Sequence, residues 1–215
     1  SWHDWTSRGN IVRHNLITDS PGANGVYVDD GDSGDTISGN IFVRLACGPF
    51  VGGGHDNIVR GNLSIECAKG IHIDDRGVSR GYNLSHARLV GQVEKMNHRQ
   101  PPWSERYPEM VDILEKHPDW PTGTIIEGNV TARCKKPIHI SGKKEHYAFT
   151  TIKDNRDEPD ATLEDAAKPL GIPLEKIGLK ASTFRPRLPE VPRDGRRPGD
   201  VFDSETDLRH TNEHR

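Results

Sequence analysis

Cysteine, long apolar runs and an excess of one charge are all scarce in this chain. Its 215 residues include three cysteines, Cys47, Cys67 and Cys134, none in a Cys-x-x-Cys pair, which argues against the usual zinc and thiol-redox motifs. Cys67 and Cys134 each lie five residues after an Asn of the repeat described below, and read as small apolar residues of a wall. No apolar run approaches the roughly 20 residues of a transmembrane helix, and Ser1 to Gly9 is polar, without the apolar centre of a signal peptide. A net charge of −3 implies neither a nucleic-acid nor a membrane partner. Hydrophobic residues make up only 32%, low for one thick core, while 22 Gly and 15 Pro suit many short strands and turns. The chain lacks a starting Met and opens in mid-repeat, so it reads as the C-terminal part of a longer protein.

What is present is a repeat. Ile11-Val12-Arg13-His14-Asn15, Thr36-Ile37-Ser38-Gly39-Asn40, Ile58-Val59-Arg60-Gly61-Asn62 and Ile125-Ile126-Glu127-Gly128-Asn129 share one pattern, with a weaker copy at Thr151-Ile152-Lys153-Asp154-Asn155. The Asn residues of the first four are spaced by 25, 22 and 67, the last being one period of 22 plus about 45 inserted residues. Such a period, with two or three β runs in each copy, predicts an all-β, right-handed parallel β-helix of about 4–5 coils. Leucine-rich repeats share the period but need a Leu-x-x-Leu-x-Leu spacing that is missing, and Ile and Val favour strands. The Asn is expected at a bend, in or near the left-handed region, with its side chain bonding the next coil in an amide ladder.

A second strand follows in each coil, over residues 25–30, 48–53, 70–75 and 137–142. Alternation points Val26, Val28, Ile71, Ile73, Ile138 and Ile140 inward. It stacks Tyr27, Phe50, His72 and His139 in one outward column, and Asp29, Gly52, Asp74 and Ser141 in the next. Coils occupy residues 1–156. Residues 78–122 are expected to form an inserted loop with an amphipathic helix around Met110, Val111, Ile113 and Leu114, its aromatic residues anchoring it. Residues 157–182 read as a helical cap over the last coil, with a helix from Asp160 to Lys168 N-capped by Asp160 or Thr162. Residues 183–215, with four prolines, seven basic and seven acidic residues, read as a disordered tail.

The outward columns suggest chemistry. Asp29 and Asp74 lie two coils apart, so their backbones should be roughly 10 Å apart and their carboxyls somewhere around 5–9 Å, within the range of glycosidase pairs. Gly52 and Gly53 between them would leave a slot for a sugar ring. Tyr27, Phe50, His55, His72, Arg76 and His139 would line it as substrate-binding residues. Asp30 and Asp75 are the alternative catalytic acids, more readily explained as turn formers. No cofactor or metal is expected; Asp29, Asp30, Asp32 and Asp35 offer oxygens for Ca, but not at EF-hand spacing.

The stretches Gly25-Val26-Tyr27-Val28-Asp29-Asp30-Gly31, Gly52-Gly53-Gly54-His55-Asp56-Asn57 and Gly70-Ile71-His72-Ile73-Asp74-Asp75-Arg76-Gly77 resemble the C-terminal coils of right-handed parallel β-helix proteins of the pectin-lyase-like superfamily. The insert around Trp103-Ser104-Glu105-Arg106-Tyr107 and the segment Pro173 to Leu179 resemble the same group, which includes secreted bacterial glycoside hydrolases of fucosidase or xylanase type. The resemblance implies a secreted or periplasmic protein that acts on a poly- or oligosaccharide through two acidic residues, carried over here to Asp29 and Asp74. The expected function is thus a glycoside hydrolase for plant or algal polysaccharide. A non-catalytic carbohydrate-binding or surface structural β-helix is the alternative from another class. A polysaccharide lyase ranks third, since of the bases it needs only Arg76 and Arg80 are well placed.

Overall fold

A computed structural model describes residues 5–79, 86–174 and 177. Arg80, the tail from 183 and most of the closing segment 175–182 lie outside the described residues. The first repeat copy forms β1 (Ile11–Arg13) and β2 (Leu16–Val28), and the second forms β3 (Thr36–Ser38) and β4 (Ile41–Gly52). The third forms β5 (Ile58–Arg60), β6 (Leu63–Ile65) and β7 (Lys69–Asp74); the fourth, β8 (Ile125–Glu127), β9 (Val130–Ala132) and β10 (Lys136–Ser141). The weak copy supplies β11 (Thr151–Lys153) and β12 (Arg156–Asp157).

All pairings are parallel, and like pairs with like. One sheet runs β1-β3-β5-β8-β11; the other runs β10-β7-β4-β6-β9-β12, with β2 on β4. β4 is long enough to serve both halves of the second sheet, its residues 41–43 pairing with β6 and 47–52 with β7. Ile58 pairs directly with Ile125, so the inserted residues leave the register undisturbed. This mostly-β, all-parallel order fits a β-helix. Ile37, Val59 and Ile126 from one wall meet Phe42, Val51, Cys67, Ile71 and Ile73 from the others in a shared core. Cys47 and Cys67 are buried and Cys134 half-buried, and all three are free thiols. Burial pushes the Cys47 thiol up to about 12, which keeps it inert at neutral pH.

The predicted amide ladder is present. Asn40 Oδ1 accepts from the Asn15 backbone N–H at 3.1 Å, Asn62 Oδ1 from that of Asn40 at 3.0 Å, and Asn129 Oδ1 from that of Asn62 at 2.9 Å. Asn155 extends the series by accepting from Asn129 at 3.0 Å. Each amide nitrogen from Asn40 onward also donates back to a strand carbonyl, as Asn62 does to Ile37 at 2.9 Å. The left-handed residue is the one before each Asn: Gly39 (φ 62°), Gly61 (φ 59°) and Gly128 (φ 60°), with His14 (φ 56°) and Asp154 (φ 55°) at the two ends. Glycine is therefore selected at the inner rungs because it adopts this φ without a Cβ clash, and Asn is selected for its amide.

A second corner carries Asp19, Arg44, Glu66 and Arg133, all at positive φ. Their charges alternate in sign up the fold. Arg44 Nε lies 2.5 Å from Asp19, Arg44 Nη1 lies 3.9 Å from Glu66, and Arg133 Nε lies 3.0 Å from Glu66.

Three expectations need correction. In the insert, the longest helix is α2 (His86–Lys95), which follows the short α1 (Arg76–Ser79) and precedes α3 (Trp103–Arg106). Leu89 and Val93, one turn apart, bury with Trp5 and Ile113, whereas Met110 and Ile113 are buried from a 3₁₀ turn and its continuation rather than from an α-helix. The C-terminal helix α4 (Leu163–Ala167), N-capped by Thr162, does not sit on the end of the stack. It lies on the flank, where Leu163, Ala166, Ala167 and Ile172 cover the outward Ile41, Val43, Leu63, Ile65, Val130 and Ala132. Burying such side chains contributes about 1.5–3 kcal/mol for each large one. Finally, Ile140 shares the inward facing of its pairing partner Ile73 but is 45% exposed rather than buried, because β10 is the last strand on its side of the sheet.

Candidate functional site

Strand register builds the outward columns rung by rung. Tyr27 pairs with Phe50, Phe50 with His72, and His72 with His139. The first two pairs of rings stack, with centroids 4.6 and 4.0 Å apart, and His139 lies tilted by 37° against His72 at 4.7 Å. Neighbouring rings therefore occupy each other's faces, with Phe50 and His72 buried and Tyr27 and His139 the more exposed ends of the column. Gly52 pairs with Asp74, and Asp74 with Ser141. Asp29, one residue past the Val28–Val51 pair, heads that second column.

The glycine gap between Asp29 and Asp74 is not open. α1 begins two residues after the end of β7, and its first residue, Arg76, turns back over Gly52. A Cβ on Gly52 would lie 2.6 Å from Arg76 Cζ, so Gly52 makes room for the arginine. Arg76 Nη1 donates to Tyr27 Oη at 2.5 Å, Asp29 Oδ1 at 2.7 Å and Asp30 Oδ1 at 3.1 Å. Nε and Nη2 clamp Asp74 at 2.9 and 2.8 Å. The guanidinium also lies 4.9 Å from the Phe50 ring centroid. Burial alone would lower the Arg76 pKa; the Asp74 and Tyr27 bonds outweigh it and hold the group charged. Both Asp74 oxygens accept from this one side chain, and Arg76 itself is 1% exposed.

The remaining predicted residues separate. Asp30 takes the turn, at φ 47°. Asp75 is buried and accepts from His146 Nδ1 at 2.5 Å and from the Lys143 backbone N–H at 3.1 Å. Burial raises its pKa, but the His146 bond and those of Ser79 and Lys143 prevail and hold it below the ordinary carboxylate value. Gly53 is packed against Arg76 and lines no slot. His55 lies outside the column: it is 2% exposed, with Nε2 2.7 Å from the Pro118 carbonyl and its ring edge-on to Trp5, and so joins the insert to the stack. Burial pushes its pKa down to about 4.

The other end of the outward face has a different character, which the sequence reading did not single out. Lys69 pairs with Lys136 in the register that pairs His72 with His139 and Asp74 with Ser141. Lys69 Nζ is 3.4 Å from His72 Nδ1; His72 Nε2 is 2.9 Å from Ser141 Oγ, which is 3.0 Å from His139 Nε2. Burial, then the charges of Lys69 and His139, push the His72 pKa down to about 3; burial and Lys136 lower that of His139. Both rings are neutral at pH 7. The signal was legible as a repeated hexapeptide, Lys69-Gly70-Ile71-His72-Ile73-Asp74 and Lys136-Pro137-Ile138-His139-Ile140-Ser141.

Comparison with known proteins adds one finding. Residues 2–81 match the profile of a family described as NosD, periplasmic copper-binding protein, a family of parallel β-helix proteins. No curated protein and no solved structure matches the chain. The family's description overturns the expectation that no cofactor is involved. Yet among the described residues no group of three or more His, Cys, Asp or Glu side chains is arranged to hold a metal ion, so no copper ligands are assigned in this chain. The parallel sheets and this match together support a β-helix similar to a periplasmic family.

Proposed function

We infer that this chain is a non-catalytic, carbohydrate-binding module built as a right-handed parallel β-helix of four to five coils, working in the periplasm or outside the cell. The observation that carries the reading is Arg76 in the Gly52 gap. A glycosidase acid must present a carboxyl to the leaving oxygen, and its partner must face the anomeric carbon or a water. Asp74 is 7% exposed with both oxygens accepting from Arg76, and Asp29 binds the same guanidinium. Hydrolysis by this pair would require breaking that cluster. A lyase base at Arg76 is disfavoured by the same bonds. Carbohydrate as ligand is supported by the outward side of β7 and β10, where Lys69 and Lys136, then His139 and Ser141, line up in one register, and by the resemblance of the coils to carbohydrate-active β-helix proteins. Copper remains a property of the matched family and has no step in this reading.

Affinity electrophoresis against a panel of plant and algal polysaccharides, with reducing-end release measured on the same mixtures, tests it. Retardation without release, in wild type and in Asp74→Asn alike, is expected. Release by the wild type that disappears in Asp74→Asn would overturn the reading in favour of a hydrolase.

A further inference from the structure

The basic end of the outward face is costly for the fold, which is what makes it informative. Lys69 and Lys136 stand on adjacent rungs, about 4.8 Å apart by strand spacing, and like charges so placed destabilise a sheet. Neither makes an ion pair with a described carboxylate, whereas every charge at the Asp19–Arg44–Glu66–Arg133 corner has an opposite neighbour. The carboxylate on the same strand, Asp74, which pairs with Ser141, is clamped by Arg76.

The hydrogen bonds give this end a polarity. The Lys69 ammonium can only donate, so His72 Nδ1 must accept. The neutral His72 ring then carries its proton on Nε2 and donates to Ser141 Oγ. The Ser141 hydroxyl, thus filled as an acceptor from that side, donates to His139 Nε2. His139 in turn carries its proton on Nδ1, at the last ring of the stack on the last strand of this side of the sheet. The relay ends on a donor. Two ammonium groups and this ring N–H form a strip of donors that no described carboxylate neutralises.

From this geometry we propose that Lys69, Lys136 and His139 Nδ1–H form a subsite for an anionic substituent, a carboxylate or sulfate, on a polysaccharide lying across β7 and β10. The inference rests on the carbohydrate reading above and names the substrate class. An anionic sugar supplies the missing acceptors and relieves the Lys69–Lys136 repulsion, while its ring hydroxyls meet Ser141. Charge-assisted bonds of this kind are about twice as strong as neutral ones.

The test compares dextran sulfate with its neutral parent dextran, and both with inorganic sulfate, by calorimetry and by the ring proton signals of His72 and His139. Expected are dextran sulfate binding at least tenfold tighter than dextran, a shift of the His139 signals, and loss of that preference in Lys69→Gln/Lys136→Gln. His139→Phe, which keeps a ring on the stack but removes the donor, should weaken binding about threefold to tenfold. Lys143→Gln/Lys144→Gln, with the same change in net charge, should retain it. Equal binding of dextran and dextran sulfate overturns the subsite and leaves the carbohydrate reading standing. Equal losses in both double variants show only nonspecific attraction and also overturn it. Binding of inorganic sulfate at His139 without either polysaccharide overturns the carbohydrate reading and, with it, the proposed substrate class.

Discussion

Two columns of charge climb this fold at the same pitch, and they are built on opposite rules. At the corner, Asp19, Arg44, Glu66 and Arg133 alternate in sign, and each contacts its neighbour. On the outward face, Lys69 and Lys136 carry the same sign with no described counter-charge, beside a serine and two neutral histidines. The first column lowers the energy of stacking. The second raises it, and a stack formed only for stability would gain nothing from it. A third arrangement lies between them: at the acidic end, Asp29, Asp30 and Asp74 would repel one another but for Arg76, which binds all three. Compensation within the chain marks structure, and its lack at Lys69 and Lys136 is what the proposed anionic subsite rests on.

Substitutions should separate these classes. The largest effect is expected from Arg76→Met, which strands Asp74 as a buried, unpaired carboxylate; stability measured by urea unfolding should fall by about 3–5 kcal/mol. Asn62→Ala, at the buried centre of the amide ladder, leaves the Asn40 backbone N–H without its acceptor and the Ile37 carbonyl without its amide donor, and should cost about 2–3 kcal/mol. The same change at the exposed Asn15 should cost well under about 1 kcal/mol, which checks that burial sets the scale.

Acid should act in one direction. His72 and His55 titrate at about 3 and about 4 in the folded protein, against 6.5 when unperturbed. Between these values the unfolded chain binds more protons, so stability is full above pH 6.5 and falls as pH drops through that window. Asp75, held below its ordinary value, adds to the loss once pH falls below 3.8. Thermal midpoints from pH 8 to 4 should be flat and then decline, and His72→Gln should flatten the decline. The smallest effects oppose each other in sign. Glu66→Gln, which removes the counter-charge of Arg44 and Arg133, should destabilise by about 0.5–1 kcal/mol. Lys136→Gln should stabilise by a few tenths, roughly 0.2–0.5 kcal/mol.

The repeat was legible because its physics is local. Ile-Val pairs, a glycine and an Asn at one phase dictate strand, left-handed corner and amide ladder, and the register of Tyr27, Phe50, His72 and His139 follows by alternation. What sequence spacing could not carry was the direction of long side chains. Arg76 sits at a helix start and could point either way; only packing against Gly52 and the Tyr27 and Phe50 rings turns it into the gap. His55 looked like part of the face because it ends a glycine run, but the insert's Pro118 carbonyl captures it from 63 residues away. The flank under α4 was missed for a related reason: Ile41, Leu63 and Val130 are apolar on both sides of their strands, and alternation cannot say that a later segment covers the outer one.

The most direct measurement is a paired one on Lys69→Gln/Lys136→Gln: the thermal midpoint of the unliganded protein and its affinity for dextran sulfate. A midpoint equal to or above that of the wild type, with affinity reduced at least tenfold, is the predicted result. A lower midpoint with unchanged affinity would contradict it, returning both lysines to the scaffold.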